Sequence, residues 1–238
     1  MTRLTALLLA LSLLLTLTAP VLCEEADTEP AATSPSRVAV GDRVFFGRFE
    51  QDNNLDNGPE DIEWMVLDVK GSRALLLSVW GLLNRPYNTV PGELTWAECS
   101  LRVWLNEDFL DAAFTKPERR AILNTRIDNS QKQCKPDWKS VGGENTRDRV
   151  FLLSAAEVET YFGDLDTRKV WPTKYALAGG ARVYNNDRAG WWWLRSPGVD
   201  QQRAAMVNVV GETSMNYVRV PYGCARPAIW VNLKYTGF

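Results

Sequence analysis

The residues best suited to binding chemistry lie in and before the segment GWWWLRSPGV. If this segment is a strand, Trp191 and Arg195 lie on one face, because side chains alternate along a β-strand. An indole ring at a surface can stack on a sugar ring or an apolar ligand, and a guanidinium can bind an anion. The preceding loop adds Asn185, Asn186 and Asp187, whose side chains can hydrogen-bond a ligand. These five residues form the first candidate ligand site.

A structural role explains the aromatic residues more simply. Each tryptophan can bury about 150–250 Å², so Trp192 and Trp193 are expected in the core with Trp64 and Trp230. Arg226 precedes Trp230 in the segment ARPAIW, and a buried guanidinium requires a partner. Arg195 has the same requirement, so structural pairing is favoured for it over ligand binding. The candidate partners are Glu63, Glu98 and Glu157.

The segment DNNLDNGPEDIE resembles a calcium-binding loop. Asp52, Asn54, Asp56 and Glu63 occupy positions 1, 3, 5 and 12 of such a loop. Position 6 requires a glycine for a sharp turn, but it is Asn57 here, and the flanking segments look like strands rather than helices. A polar hairpin loop is therefore the simpler interpretation, with calcium as the alternative and no other metal site expected.

The absence of histidine removes several mechanisms at once. Ser-His-Asp and Cys-His catalysis are excluded, and so is the commonest zinc ligand. Paired carboxylates for glycoside hydrolysis stay open, because the distance between two carboxylates cannot be derived from sequence. No phosphate-binding or dinucleotide-binding motif is present, so no cofactor is expected. With a net charge of −2 and no basic block, a nucleic-acid partner is not expected either.

The first 23 residues are typical of a secretory signal peptide. Arg3 precedes an apolar segment, and a cleavage zone follows it, so we expect cleavage after Cys23. Lipidation of Cys23 is the alternative. Pro20 ends the apolar segment before it reaches the about 20 residues that a membrane span needs. We therefore expect a secreted or cell-surface protein with no membrane span after cleavage.

The rest of the chain divides into a tether and one domain. Residues 24–37 are rich in Glu, Pro, Ser and Thr, which predicts a disordered tether. Residues 38–238 form the expected single domain, with Cys99, Cys134 and Cys224. In an oxidising compartment these three can form one disulfide and one free thiol, and the pairing stays open. Three buried thiols are the equally supported alternative.

The order of local patterns predicts an α+β fold. Strand-like segments come first, as RVFFGRF, IEWMVLDV and RALLLSVW. Three capping boxes then predict about three helices in the middle of the chain, beginning at Thr95, Thr115 and Ser154. A polar loop is expected over 129–149, followed by the strands WWWLR, AAMVNVV, NYVRV and AIWVNL. Both alternating sets in IEWMVLDV are apolar, so this strand is expected to be central and buried on both faces.

Several segments in order resemble a bacterial family known as domain of unknown function 6273. They include FGRFEQDN, TWAECSLRVWLN, RDRVFLLSAAEVETYF, WWLRSPG and ARPAIWVNL, and the resemblance extends from Val40 to Leu233. The family implies no activity. Its closing pattern is similar to C-type-lectin-like and formylglycine-generating-enzyme-like domains, which implies paired N- and C-terminal strands and function in long loops. The oxidase branch of that fold relies on a cysteine pair, whereas only Cys224 lies in the final strand region here.

These observations favour a non-catalytic, C-type-lectin-like module that binds a glycan or a protein ligand through its loops. Two other classes of function stay open. One is an extracytoplasmic enzyme, either a carboxylate-dependent hydrolase or a thiol oxidase. The other is a purely structural domain of a surface assembly.

Overall fold

The computed structural model describes residues 38–184 and 188–237, all within the unit Pro35–Phe238. The expected signal peptide, the expected tether and the loop residues Asn185, Asn186 and Asp187 lie outside the described residues. Among the residues described, no helix has the length and apolar character needed to cross a membrane.

The first sheet joins the N-terminal strands to the last strand. Its antiparallel strands lie in the order β1-β2-β3-β14-β7. Their bounds are β1 Arg43–Phe49, β2 Glu60–Lys70, β3 Arg73–Ser78, β7 Val150–Phe151 and β14 Ala228–Asn232. This confirms the α+β fold with N- and C-terminal strands in one sheet.

The central strand of this sheet is β3, not β2 as the sequence predicted. Leu75, Leu76 and Leu77 are all buried, so β3 is covered on both faces. On β2, Met65 and Val69 are only half-buried, because one face of that strand is partly open to solvent. The apolar residues on that face therefore do not indicate complete burial.

The second sheet contains the tryptophan segment. Its strands lie in the order β12-β11-β10-β13-β4, and only the β10–β13 pair is parallel. Their bounds are β4 Leu83–Asn84, β10 Trp192–Pro197, β11 Arg203–Val207, β12 Thr213–Tyr217 and β13 Cys224–Ala225. Two small hairpins pair β5 Thr125–Ile127 with β6 Thr146–Asp148, and β8 Val183–Tyr184 with β9 Ala189–Gly190.

The strand predicted at NYVRV, residues 216–220, lies three residues earlier in the structure, after the hairpin turn between β11 and β12. The turn forms earlier than expected, because the Asn208 side chain accepts hydrogen bonds from the backbone N–H groups of Val210 and Glu212. Gly211 has φ +89, which a glycine adopts without strain. Strand β12 therefore begins at Thr213 and ends at Tyr217.

The helices are short and lie between the strands. A continuous helical segment contains α1 Ser100–Trp104, a π-helical turn Leu105–Phe109 and α2 Leu110–Ala113. The other helices are α3 Lys116–Ala121, α4 Ala155–Tyr161, α5 Leu165–Arg168 and α6 Lys174–Ala178. Three 3₁₀ turns cover Gln131–Gln133, Pro136–Trp138 and Leu233–Tyr235. The first two of these turns and β6 occupy much of the predicted polar loop.

Two of the three predicted capping boxes begin helices. At α3 and α4, the Thr115 and Ser154 hydroxyls accept from the backbone three residues later, and a glutamate bonds back to each cap. The prediction that a helix begins at the Thr95 capping box was wrong. Thr95 N–H donates to Glu98 at 3.1 Å, but a turn follows, and extended Cys99 is the N-cap of α1.

Candidate functional site

The three consecutive tryptophans are core residues. Trp192 and Trp193 are fully buried, and their indole N–H groups donate to the carbonyls of Arg168 and Arg85 at 3.0 and 2.9 Å. Trp191 packs edge-on against Trp193 with ring centroids 4.8 Å apart, and only 6% of Trp191 is exposed to solvent. Trp191 therefore has no solvent-facing ring on which a ligand can stack, which corrects the expectation of an exposed platform.

Arg195 is a buried structural arginine with every donor in use. The Arg195 side chain is 2% exposed, and its guanidinium forms a bidentate ion pair with Glu157. Its remaining N–H groups donate to Asn129 Oδ1 and to the carbonyls of Leu152 and Asp128. The space beside it has no volume for a water molecule. Arg195 thus has no donor left for a ligand, contrary to its assignment to the candidate site.

The other residues expected to be structural lie in or against the core. Trp64 is buried and donates to the Phe46 carbonyl at 2.7 Å, while half-buried Trp230 lies under the Lys70 ammonium at 5.4 Å. Arg226 donates to the Ser78 carbonyl at 2.9 Å and lies 4.9 Å from the Trp192 ring centroid.

No ion pair to Arg226 forms among the described residues. The three carboxylates considered for it have other partners: Glu63 pairs with Arg43, Glu98 bonds to Thr95, and Glu157 pairs with Arg195. Burial lowers the pKa of the Arg226 guanidinium to about 9. Its guanidinium faces the Trp192 and Phe162 rings, and its buried Nη1 has no hydrogen-bond partner among the described residues.

The calcium-like segment is a self-bonded loop. Asp52 accepts from Asn54 N–H and from the Asn57 amide, and the Asn54 side chain accepts from Asp56 N–H. The hydrogen bond from Asn57 holds the pKa of Asp52 below its ordinary value. Glu63 lies on β2 and pairs with Arg43 at 3.0 Å, so the position-12 ligand does not join the others. The four residues of the pattern therefore do not converge on one site.

The three cysteines of the domain are buried free thiols. Burial raises the pKa of Cys99 and of Cys224 to about 12, and also raises the pKa of Cys134. A thiol with such a pKa stays protonated at neutral pH and is a poor nucleophile. The structure agrees with the alternative of three buried thiols.

The clearest binding surface of the described residues is a groove of about 400 Å³ that the sequence did not indicate. This volume lies in the range of about 300–1,000 Å³ that is usual for small-molecule sites. We call it the aromatic groove. Its lining residues are Phe49, Asn53, Leu83, Asn84, Arg85, Trp104, Tyr175, Ala178 and Gly179.

Three aromatic side chains form the wall of the aromatic groove. Phe49 packs edge-on against Tyr175 at 5.8 Å, and both Phe49 and Trp104 pack on Phe109 at 5.1 and 5.6 Å between ring centroids. Tyr175 N–H also donates to the Gln51 carbonyl at 3.0 Å, which joins α6 to the segment after β1. The rings are therefore held in place by the core before any ligand binds.

Polar groups complete the groove at β4. The Asn84 amide donates to the carbonyls of Gly179 and Pro221 at 2.7 and 3.0 Å. A Cβ on Gly179 would lie 2.2 Å from Asn84 Oδ1, so only glycine allows this close approach. The Arg85 guanidinium lies over the Trp104 ring, with Cζ 4.5 Å from the centroid. The groove thus combines apolar ring faces with an amide and a cation.

Two more open depressions differ in chemistry from the aromatic groove. One, of about 540 Å³, is lined by Arg126 and Arg147 on the β5–β6 hairpin, and the other, of about 520 Å³, by Arg119, Arg120 and Arg149. Neither lining includes an aromatic side chain. The aromatic groove is therefore the better site for a ligand with both apolar and polar faces.

Comparison with known families assigns the chain to one family. The family model described as a domain of unknown function (DUF6273) matches residues 71–233, more than half of the chain. The chain belongs to this family. No curated protein and no solved structure matches it. The DUF6273 match begins after β2 rather than at Val40, and the resemblance to C-type-lectin-like domains stays a prediction.

Most of the aromatic groove belongs to the matched DUF6273 region. Asn84, Arg85, Trp104 and the α6 residues lie inside it, while Phe49 and Asn53 precede it. Sequence reasoning missed the groove because its residues come from four separate segments, and the family segments FGRFEQDN and TWAECSLRVWLN, which contain Phe49, Asn53 and Trp104, carry no functional assignment. One signal pointed towards this region. The buried tryptophans need acceptors for their indole N–H groups, and the acceptor for Trp193 is the carbonyl of Arg85, a groove residue.

Proposed function

We propose that this DUF6273 protein is exported and binds a glycan in the aromatic groove without catalysing a reaction. The observation that carries the proposal is the meeting of three aromatic side chains with Asn84 and Arg85 in one groove. The C–H faces of a sugar ring pack on aromatic rings, while its hydroxyls need hydrogen-bond partners at the edges. The groove offers both.

The preformed wall supports binding rather than turnover. Phe109 supports both Phe49 and Trp104, so little ordering is required when a ligand enters. The thiol-oxidase alternative has no support from Cys224, which is fully buried and whose pKa burial raises to about 12. The groove lining contains no carboxylate, so it gives the hydrolase alternative no acid–base pair.

A glycan array with the purified protein tests the proposal. We expect binding to one structural class of glycan, and an about tenfold loss of affinity in the Trp104→Ala variant, because the ring provides the wall. Trp80→Ala is the matched control, since Trp80 is 40% exposed and does not line the groove. Near-UV circular dichroism must show that both variants are folded.

Two outcomes would contradict glycan binding. One is an array without any bound glycan; the other is equal affinity in the Trp104→Ala and Trp80→Ala variants. Export is tested separately by N-terminal sequencing of the protein recovered outside the cell. A mature chain that begins at Glu24 supports the proposed cleavage, and retention of the intact chain inside the cell contradicts it.

A further inference from the structure

We infer that the aromatic groove selects an acidic sugar, a saccharide carrying one carboxylate, through the guanidinium of Arg85 stacked on Trp104. This inference rests on the proposed glycan binding and names the ligand class of the same site. The geometry that carries it is a cation held at the groove without an anionic partner among the residues that the structure describes.

Arg85 differs from the paired arginines of this protein. Arg195, Arg168 and Arg102 each form an ion pair with a carboxylate, at 2.5, 2.7 and 2.7 Å. Over residues 38–184 and 188–237, the Arg85 guanidinium forms no ion pair and donates no hydrogen bond. Its contact with the face of Trp104 leaves the five N–H donors in the guanidinium plane available. A carboxylate matches two of these donors at once.

The backbone of Arg85 is fixed on both sides. Its N–H donates to the Gly223 carbonyl at 3.3 Å, and its carbonyl accepts from the Trp193 indole at 2.9 Å. Gly223 itself lies against Trp191, where a Cβ would lie 2.3 Å from the ring. The buried tryptophans therefore fix the backbone of Arg85 beside the groove, and its guanidinium is oriented by stacking on Trp104. Such preorganisation lowers the entropic cost of binding an anion.

The neighbouring groups favour a sugar over a simple anion. Both N–H groups of the Asn84 amide are used by backbone carbonyls, and Asn84 Oδ1 accepts no hydrogen bond from the described residues. This oxygen can accept from a sugar hydroxyl beside the carboxylate. The Trp104 and Tyr175 rings supply apolar surface that an inorganic anion does not use.

Acidic residues beside the groove limit the ligand to few negative charges. Glu50 and Asp52 lie between the lining residues Phe49 and Asn53 in the chain, and their carboxylates cluster with that of Glu60, with oxygen atoms within 4.8 Å of one another. A polyanion near these carboxylates is repelled. A single carboxylate is repelled less than a polyanion, because the repulsion grows with the number of charges.

The test compares matched acidic and neutral sugars by calorimetry. The pairs are 3′-sialyllactose with lactose, and methyl β-glucuronide with methyl β-glucoside. We expect each acidic sugar to bind about tenfold more tightly than its neutral partner, and this preference to shrink as salt is raised. Arg85→Gln removes the preference, while Arg85→Lys retains part of it, because lysine keeps the charge without the planar fork.

Arg182→Gln is the matched control, since that guanidinium also stacks on an aromatic ring, Tyr222, but does not line the groove. Equal binding of acidic and neutral sugars, with both lost in Trp104→Ala, overturns the inference and leaves glycan binding intact. Acidic preference that survives in Arg85→Gln also overturns it. If array glycans bind but neither acidic probe does, the inference fails alone; if no glycan binds at all, both proposals fail.

Discussion

Arg195 and Arg85 show two opposite uses of the same side chain. Arg195 is surrounded by acceptors, and its pairing with Glu157 also orients the carboxylate that caps α4 through Ser154 N–H. Arg85 has its backbone fixed and its charge left available. The sequence favoured structural pairing for Arg195 and included Glu157 among the candidate partners. It did not distinguish Arg85, because an unpaired cation is recognised only from its surroundings.

Loss of the Arg195–Glu157 pair is expected to be costly. We predict that Arg195→Met lowers the free energy of unfolding by about 3–5 kcal/mol, because it leaves the Glu157 carboxylate and two backbone carbonyls without their donor. Urea denaturation measures the change. Arg203→Gln removes a more exposed ion pair with Asp200 and is expected to cost much less. Equal losses in the two variants would show that burial does not decide the strength of the pair.

The Glu159–Arg168 pair predicts a dependence of stability on pH. Hydrogen bonds from Arg168 hold the pKa of Glu159 below its ordinary value of 4.5. A carboxylate with a lowered pKa in the folded state stabilises the fold above the unfolded value and loses this effect as pH falls through the folded value. Glu159→Gln should therefore be less stable than the parent at pH 7, and the difference should disappear in acid below pH 4.5. A pH-independent difference contradicts this linkage.

Secondary-structure elements were predictable where local chemistry determines them. The Thr115 and Ser154 capping boxes begin α3 and α4 because their hydrogen bonds are local. The same pattern at Thr95 forms only a turn, since the extended backbone at Cys99 defers the helix to Ser100. That conformation depends on packing: Cys99 is fully buried, and tertiary contacts are not encoded in a four-residue pattern.

Close packing between β13 and β10 predicts a sensitive glycine. A Cβ at Gly223 would lie 2.3 Å from the Trp191 ring, so we expect Gly223→Ala to lower the free energy of unfolding by about 1–3 kcal/mol. It should also weaken sugar binding, because the Gly223 carbonyl accepts from Arg85 N–H. Gly163→Ala is the control, since nothing lies within 4 Å of a Cβ there. Thermal and urea unfolding of the two variants provide the comparison.

At the scale of the whole molecule, the last strand completes the first sheet. β14 lies between β3 and β7, and Ala228, Ile229 and Val231 are fully buried. The sequence predicted that N- and C-terminal strands share a sheet through a family resemblance. The aromatic groove lay beyond that reasoning, because distances between Phe49, Trp104 and Tyr175 arise only when the chain is folded.

Removal of β14 is expected to prevent folding of the domain. We predict that a chain ending at Pro227, which keeps β13, shows no cooperative urea transition and no near-UV circular dichroism signal, because β3 loses one of its two neighbouring strands and β7 loses its partner. A chain ending at Thr236 keeps β14 and should unfold cooperatively. Native-like unfolding of the shorter chain would show that β1, β2 and β3 are stable by themselves.

The position of β14 also has a consequence during translation. A ribosome makes β3 about 150 residues before β14. The edge of β3 that pairs with β14, which carries Leu75, Leu76 and Leu77, is therefore unpaired while the intervening chain is made. Unpaired apolar edges of this kind recruit other chains. We therefore expect a nascent chain of this protein to be most prone to association with other chains before residue 232 has been added.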